Sequence, residues 1–112
     1  MIAGVTPLRI YIAGPMTGVP EHNFPLFRFA TDWYRHFGHH VTSPHEGVTD
    51  TTLPWETYMR RAIVLLSECD TIAMLPHWHK SKGAKLELQI ADALGMNILF
   101  FSEDHIAQKT HP

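Results

Sequence analysis

Short apolar runs alternate along the chain with stretches whose apolar positions recur at helical spacing. Leu8-Arg9-Ile10-Tyr11-Ile12-Ala13 is rich in strand formers and stops at Gly14-Pro15, which predicts a buried strand running into a loop. Two Gly and two Pro among the seven positions from Gly14 to Pro20 mark that loop. Asn23 is placed to cap a helix that Pro25 helps to start. Within it Phe27, Ala30, Tyr34 and Phe37 stand 3, 4 and 3 apart, one helical face, and Gly38 ends it.

The same alternation continues. His39 to Ser43 predicts a second strand, and Pro44 to Leu53 a polar loop. Thr52 or a neighbour then starts a helix with Pro54 in its first turn and Trp55, Met59, Ala62 and Leu66 on its apolar face. Thr71-Ile72-Ala73-Met74-Leu75 predicts the third strand, closed by Pro76. Ser81 is a cap for a helix from Lys82 to Leu94, Gly95 stops it, and Asn97 to Phe101 predicts a fourth strand. The polar residues after Ser102, 103–112, read as a loosely ordered tail.

Strands alternating with helices, joined by connections too long for hairpins, imply crossover connections and a parallel sheet. The expected fold is α/β, a small three-layer sandwich with a four- or five-stranded, mainly parallel, doubly wound sheet. In such sheets ligands bind beyond the carboxyl ends of the strands. That rule selects the loops Gly14 to Pro20, Ser43 to Leu53 and Pro76 to Gly83.

Composition narrows the functional classes. With 112 residues the chain forms one domain, and 45% hydrophobic residues argue against global disorder. A formal charge of -2 makes no electrostatic case for nucleic acid or an anionic membrane as partner. The single Cys69 has no partner for an internal disulfide, which fits a reducing compartment. No run approaches the roughly 20 apolar residues a bilayer span needs, and 1–8 lacks the basic start of a secretory signal. The expectation is a soluble, cytoplasmic protein.

Chemistry concentrates around the third helix. Ser81, Lys82 and Gly83 combine a hydroxyl, orphan backbone N–H groups and the positive end of the helix dipole, all suited to an anion such as phosphate. Gly83 and Ala84 keep bulk away from an approaching ligand. Glu87 shares a predicted face with Gly83, Ile90 and Leu94, which turns its carboxylate toward the crevice; a solvent-facing Glu on a capped helix is the plain alternative. Tyr11 is either a core aromatic or a hydroxyl that orients a carboxylate. Trp78 stands either to stack on a nucleobase or to cover the sheet edge. Neither a dinucleotide fingerprint nor a P-loop is present, and no cofactor is expected. His77 and His79, with His39, His40 and His45, invite a zinc reading, but no second ligand pair has the right spacing and no metal is expected. Asp70 and Cys69 read as structural, and Arg60 and Arg61 as a solvated helix face or a subunit contact.

Several segments together resemble a phage and prophage family of unknown function. These are Tyr11-Ile12-Ala13-Gly14-Pro15-Met16-Thr17-Gly18, Asn23-Phe24-Pro25, Tyr58-Met59-Arg60-Arg61, Cys69-Asp70, and Trp78 followed by Ser81-Lys82-Gly83-Ala84 and Glu87. That family looks like a branch of the nucleoside 2-deoxyribosyltransferase superfamily, which includes nucleoside 5'-monophosphate N-glycosidases. The resemblance implies a single domain of this type over 1–112 that cleaves the N-glycosidic bond of a nucleoside or nucleoside 5'-monophosphate. It makes Glu87 the nucleophile, Tyr11 its orienter and Ser81 the 5'-phosphate contact. The loop of Gly14, Pro15, Met16 and Gly18 would border sugar and phosphate, with Gly83 and Trp78 as further substrate-binding candidates. It also implies a homo-oligomer, a dimer or larger. In catalytic relatives an Asp stands where this chain has Ala62, itself on the apolar face of its helix; Glu46 or Asp50 is a candidate replacement, with ordinary solvated loop carboxylates as the plain alternative. The alternative is a nucleotide-binding module without turnover.

Overall fold

The first strand is apolar on both faces because helices cover both. The computed structural model describes residues 6–47 and 52–102, in which four strands, β1 (Arg9–Ala13), β2 (His40–Thr42), β3 (Thr71–Met74) and β4 (Asn97–Phe100), pair in the order β2-β1-β3-β4. All three pairings are parallel, with Ile10 beside Val41 on one flank and Thr71 on the other. The sequence predicts a four- or five-stranded, mainly parallel sheet; among the described residues it has four strands, all parallel, with three α-helices. The expectations for the tail, 103–112, and for Asp50 lie outside the described residues.

Alternation along β1 and β3 sorts the core into two layers. Ile10, Ile12, Ala73 and Leu75 face α1 (Phe24–His36), meeting Phe27, Ala30, Tyr34 and Phe101. Tyr11, Ala13, Ile72 and Met74 face α2 (Trp55–Ser67) and α3 (Lys82–Ala93), meeting Ala62, Leu66, Ala84 and Ala91. The first layer is sealed by large rings, with Tyr34 and Trp33 both edge-on to Phe101. The second is packed with alanines, which bring α2 and α3 close to the sheet. Each fully buried large apolar side chain contributes about 1.5–3 kcal/mol, so both layers matter to stability.

The helix ends differ in places from the sequence reading. Ser81 caps α3 as expected, its hydroxyl accepting from the Ala84 N–H at 3.1 Å. Asn23 occupies the cap position of α1 without capping it: its backbone is left-handed and its amide donates to the Pro15 carbonyl at 2.9 Å. The side chain therefore ties the Gly/Pro loop to α1. α2 begins at Trp55 after Pro54, rather than at Thr52. Leu94, expected on the buried face of α3, is 60% exposed because the helix ends at Ala93 and the covered face runs through Gly83, Glu87 and Ala91. Asp70 is structural, accepting from the Arg9 N–H at 3.1 Å and the Thr71 hydroxyl at 2.7 Å. Cys69 is half-buried, with its thiol toward the Leu65 carbonyl.

Strand order places the topological switch between β1 and β3, whose outer neighbours lie on opposite sides of the sheet. The two strands stay joined to the very end, where the Leu75 N–H donates to the Ala13 carbonyl at 2.8 Å. Gly14 passes so close to Leu75 that a Cβ there would sit 2.7 Å from the Leu75 Cβ. Beyond that point the chains part and a cleft opens.

Candidate active site

Glu87 lies at the base of the cleft, only 5% exposed, and the Tyr11 hydroxyl donates to its Oε2. Tyr11 is fully buried on β1, two residues before its carboxyl end, and Glu87 is in the second turn of α3. The pair thus joins the central strand to the helix across the alanine-packed layer. Burial pushes the Glu87 carboxyl up to about 7, while the Tyr11 hydrogen bond pulls the other way. Burial and the adjoining carboxylate hold the Tyr11 phenol well above its usual value, so Tyr11 remains a donor. A carboxylate balanced between its two protonation states at neutral pH, with a locked orienting hydroxyl, is equipped for nucleophilic or proton-transfer chemistry.

Two adjoining cavities rise from this pair. The inner one, about 50 Å³, is lined by Glu87, Tyr58, Met59, Gly83, Ser81 and Gly14, among others. The outer one, about 330 Å³, is lined by Pro15, Met16, Thr17, Trp55, Lys80, Ser81 and Lys82. Met16, Thr17, Trp55 and Ser81 border both, so the two form one cleft. Ser81 spends its oxygen on the cap and keeps its hydroxyl proton to donate. Lys82 lies over the Trp55 ring, 4.0 Å from its centroid, and Lys80 stands on the same rim. The rim is therefore cationic, with a helix N-terminus behind it, and the base holds the carboxylate.

Most of the residues singled out from the sequence converge here: Tyr11, Glu87, Ser81, Gly83, Gly14, Pro15 and Met16. Three do not. Gly18 sits in an exposed turn at φ +79°, a conformation suited to glycine, and lines neither cavity. Trp78 packs on the alanine-layer side against Phe100, ring centroids 6.1 Å apart, covering the sheet edge. Glu46 is held by Arg35 through two hydrogen bonds of 2.9 and 2.8 Å on the α1 side, and this pairing keeps its carboxyl below the usual range. Ala62 is buried in the core against the sheet rather than lining the cleft. Among the described residues, Glu87 is the carboxylate that lines these cavities, and no three His, Cys, Asp or Glu side chains gather as a metal site.

Two cleft residues escaped the sequence reading. Trp55, counted with the core face of its helix, supplies the aromatic wall instead of Trp78. Tyr58, three positions on, lines the inner cavity and donates to the Met16 sulfur at 2.9 Å. Their signal was present in the spacing Trp55, Tyr58, Met59, which puts all three on one side of the first turn of α2.

Comparison with known proteins agrees with this architecture. No curated protein matches the sequence significantly. Among solved structures, a 2-deoxyribosyltransferase from the psychrotolerant bacterium Bacillus psychrosaccharolyticus superposes with a TM-score of 0.65 at 23% identity, covering 84% of this chain and 72% of the enzyme. A 2-desoxiribosyltransferase from Leishmania mexicana gives a TM-score of 0.65 at 25% identity, covering 86% of this chain. The chain spans 65% of that enzyme's length, just under two thirds. In the described residues no helix is long and apolar enough to cross a membrane. Residues 8–100 match the family described as "Domain of unknown function (DUF4406)", and the chain belongs to that family, with a nucleoside 2-deoxyribosyltransferase-like fold.

Proposed function

We propose that the protein cleaves the N-glycosidic bond of a nucleoside or nucleoside 5'-monophosphate, with Glu87 as nucleophile. A Glu87 oxygen attacks the anomeric carbon, the carbon–nitrogen bond breaks, and its electron pair leaves with the base, which takes up a proton. Water then adds to the same carbon, releases the sugar and restores the carboxylate; a second base in place of water gives transfer. Tyr11 orients the attacking oxygen. Ser81, with the α3 amides and the Lys80 and Lys82 side chains, holds the 5'-phosphate, which favours hydrolysis of a monophosphate. Gly14, Pro15, Met16 and Gly83 shape the walls, and the substrate is the only cofactor-like molecule the scheme needs. The same reading takes the protein as a cytoplasmic homo-oligomer of phage or prophage origin, related to nucleoside 5'-monophosphate N-glycosidases.

The observation that carries the proposal is the buried Tyr11–Glu87 pair at the foot of a cation-rimmed cleft. The test is release of free base from a panel of nucleosides and their 5'-monophosphates. Release by the native protein, abolished in Glu87→Ala with ligand binding retained, supports the assignment; equal release by that variant rejects it. A second reading, a nucleotide-binding module without turnover, is favoured by Glu87 having no second carboxylate beside it among the described cleft residues. Thermal stabilisation by monophosphates with no base released would select it.

A further inference from the structure

Tyr58 is a polar side chain whose present partner suits it poorly. Tyr58 lines the inner cavity together with Glu87 and Met16, yet the atom its hydroxyl donates to is the Met16 thioether, at 2.9 Å. A thioether is a weak acceptor, and a phenol exchanging it for a hydroxyl or ether oxygen gains hydrogen-bond strength. Met16 in turn sits on the mobile-by-chemistry side of the pair: an unbranched side chain that readily takes another rotamer. Burial, and then the Glu87 charge, push the Tyr58 phenol above its usual value, so it stays protonated and keeps a proton to donate.

The size of the inner cavity limits what reaches this donor. About 50 Å³ holds a fragment of a nucleoside and not the whole. Under the reading above, the fragment presented to Glu87 is the edge of the pentose around its anomeric carbon. We propose that Tyr58 is a substrate-binding residue whose hydroxyl leaves the Met16 sulfur and donates to a pentose oxygen when the sugar enters the inner cavity. The exchange costs a weak hydrogen bond and forms a stronger one in a water-poor site. It also gives the cleft a sugar-side anchor separate from the phosphate anchor at Ser81.

This inference rests on the proposed placement of the sugar, but its test needs no turnover. Binding of 2-deoxyribose 5-phosphate, ribose 5-phosphate and inorganic phosphate is measured by calorimetry on the full chain and on Tyr58→Phe. The expected result is about a tenfold weaker dissociation constant for at least one of the pentose phosphates, with inorganic phosphate within twofold of the parent. Pentose phosphate affinities unchanged by the substitution, or no pentose phosphate binding by the parent protein, overturn the proposal. Equal losses for all three ligands also overturn it, because they signal a cleft that has lost its shape. Base release by the native protein is a separate measurement, so a failure of the glycosidase reading and a failure of the Tyr58 assignment are told apart.

Discussion

The two glutamates Glu46 and Glu87 carry the same side chain into opposite surroundings. Glu46 is on the α1 side of the sheet with its side chain 40% exposed, clasped by the guanidinium of Arg35, whose side chain is 44% exposed. Water and a positive partner both favour its charge, and its carboxyl lies below the usual range. Glu87 is nine-tenths and more enclosed, has a neutral phenol for a partner, and lies far above that range, at about 7. The difference teaches that the partner's chemistry decides the use of an acidic group: a cation makes Glu46 a fastener, whereas Tyr11 orients Glu87 without neutralising it.

Activity separates the two most widely. Glu87→Ala lowers kcat/KM for base release by at least about 10³-fold, while Glu46→Ala stays within about twofold of the parent. Comparable losses at both positions, measured on the same monophosphate, would erase the contrast.

Stability against pH is the next largest effect. Glu87 holds its proton more tightly folded than unfolded, from 4.5 up to about 7. Its favourable contribution is thus complete below pH 4.5 and is lost as the pH rises through about 7. Glu87→Gln mimics the protonated form at every pH. Urea unfolding should show it close to the parent at pH 4.5 and more stable at pH 8, by roughly 3 kcal/mol. A difference independent of pH would mean that the carboxyl is not held neutral by its enclosure.

Removing the orienting hydroxyl sharpens the same point. Tyr11→Phe takes away a donor that favours the charged carboxylate, so the acid limb of the pH–rate profile moves up from about 7 and the rate at neutral pH falls about tenfold. An unshifted limb would separate Tyr11 from the titrating group. The smallest effect belongs to the fastener. Glu46→Gln costs about 0.5 kcal/mol at pH 7 and low salt. Because its folded value is depressed, that loss is present above pH 4.5, fades as Glu46 itself protonates at lower pH, and shrinks in salt.

The strands, helices and their order were legible in the sequence because each is a local pattern: β1 and β3 as uninterrupted apolar runs, α3 as a Ser-capped stretch ended by Gly95. The place of Glu87 was legible too, through its spacing from Ser81 and Gly83 on a single helix. What stayed hidden depends on atoms far apart in the chain. The clasp between Arg35 and Glu46 joins two elements that no periodicity connects, and the grip of Asn23 on Pro15 replaces the local cap its position suggested. Trp55 has core spacing, yet as the first residue of α2 it becomes a wall of the cleft. Trp78 shows the reverse, a loop aromatic drawn onto Phe100.

The tight passage of Gly14 over Leu75 bears on which molecules this cleft can be taught to accept. There the Gly14 backbone is laid against the Leu75 side chain, with no room at position 14 for even a Cβ. The opposite boundary is made of long, separable groups, Trp55, Lys82 and Met16, any of which can be shortened without parting the central strands. Redesign for bulkier ligands therefore belongs at the ceiling.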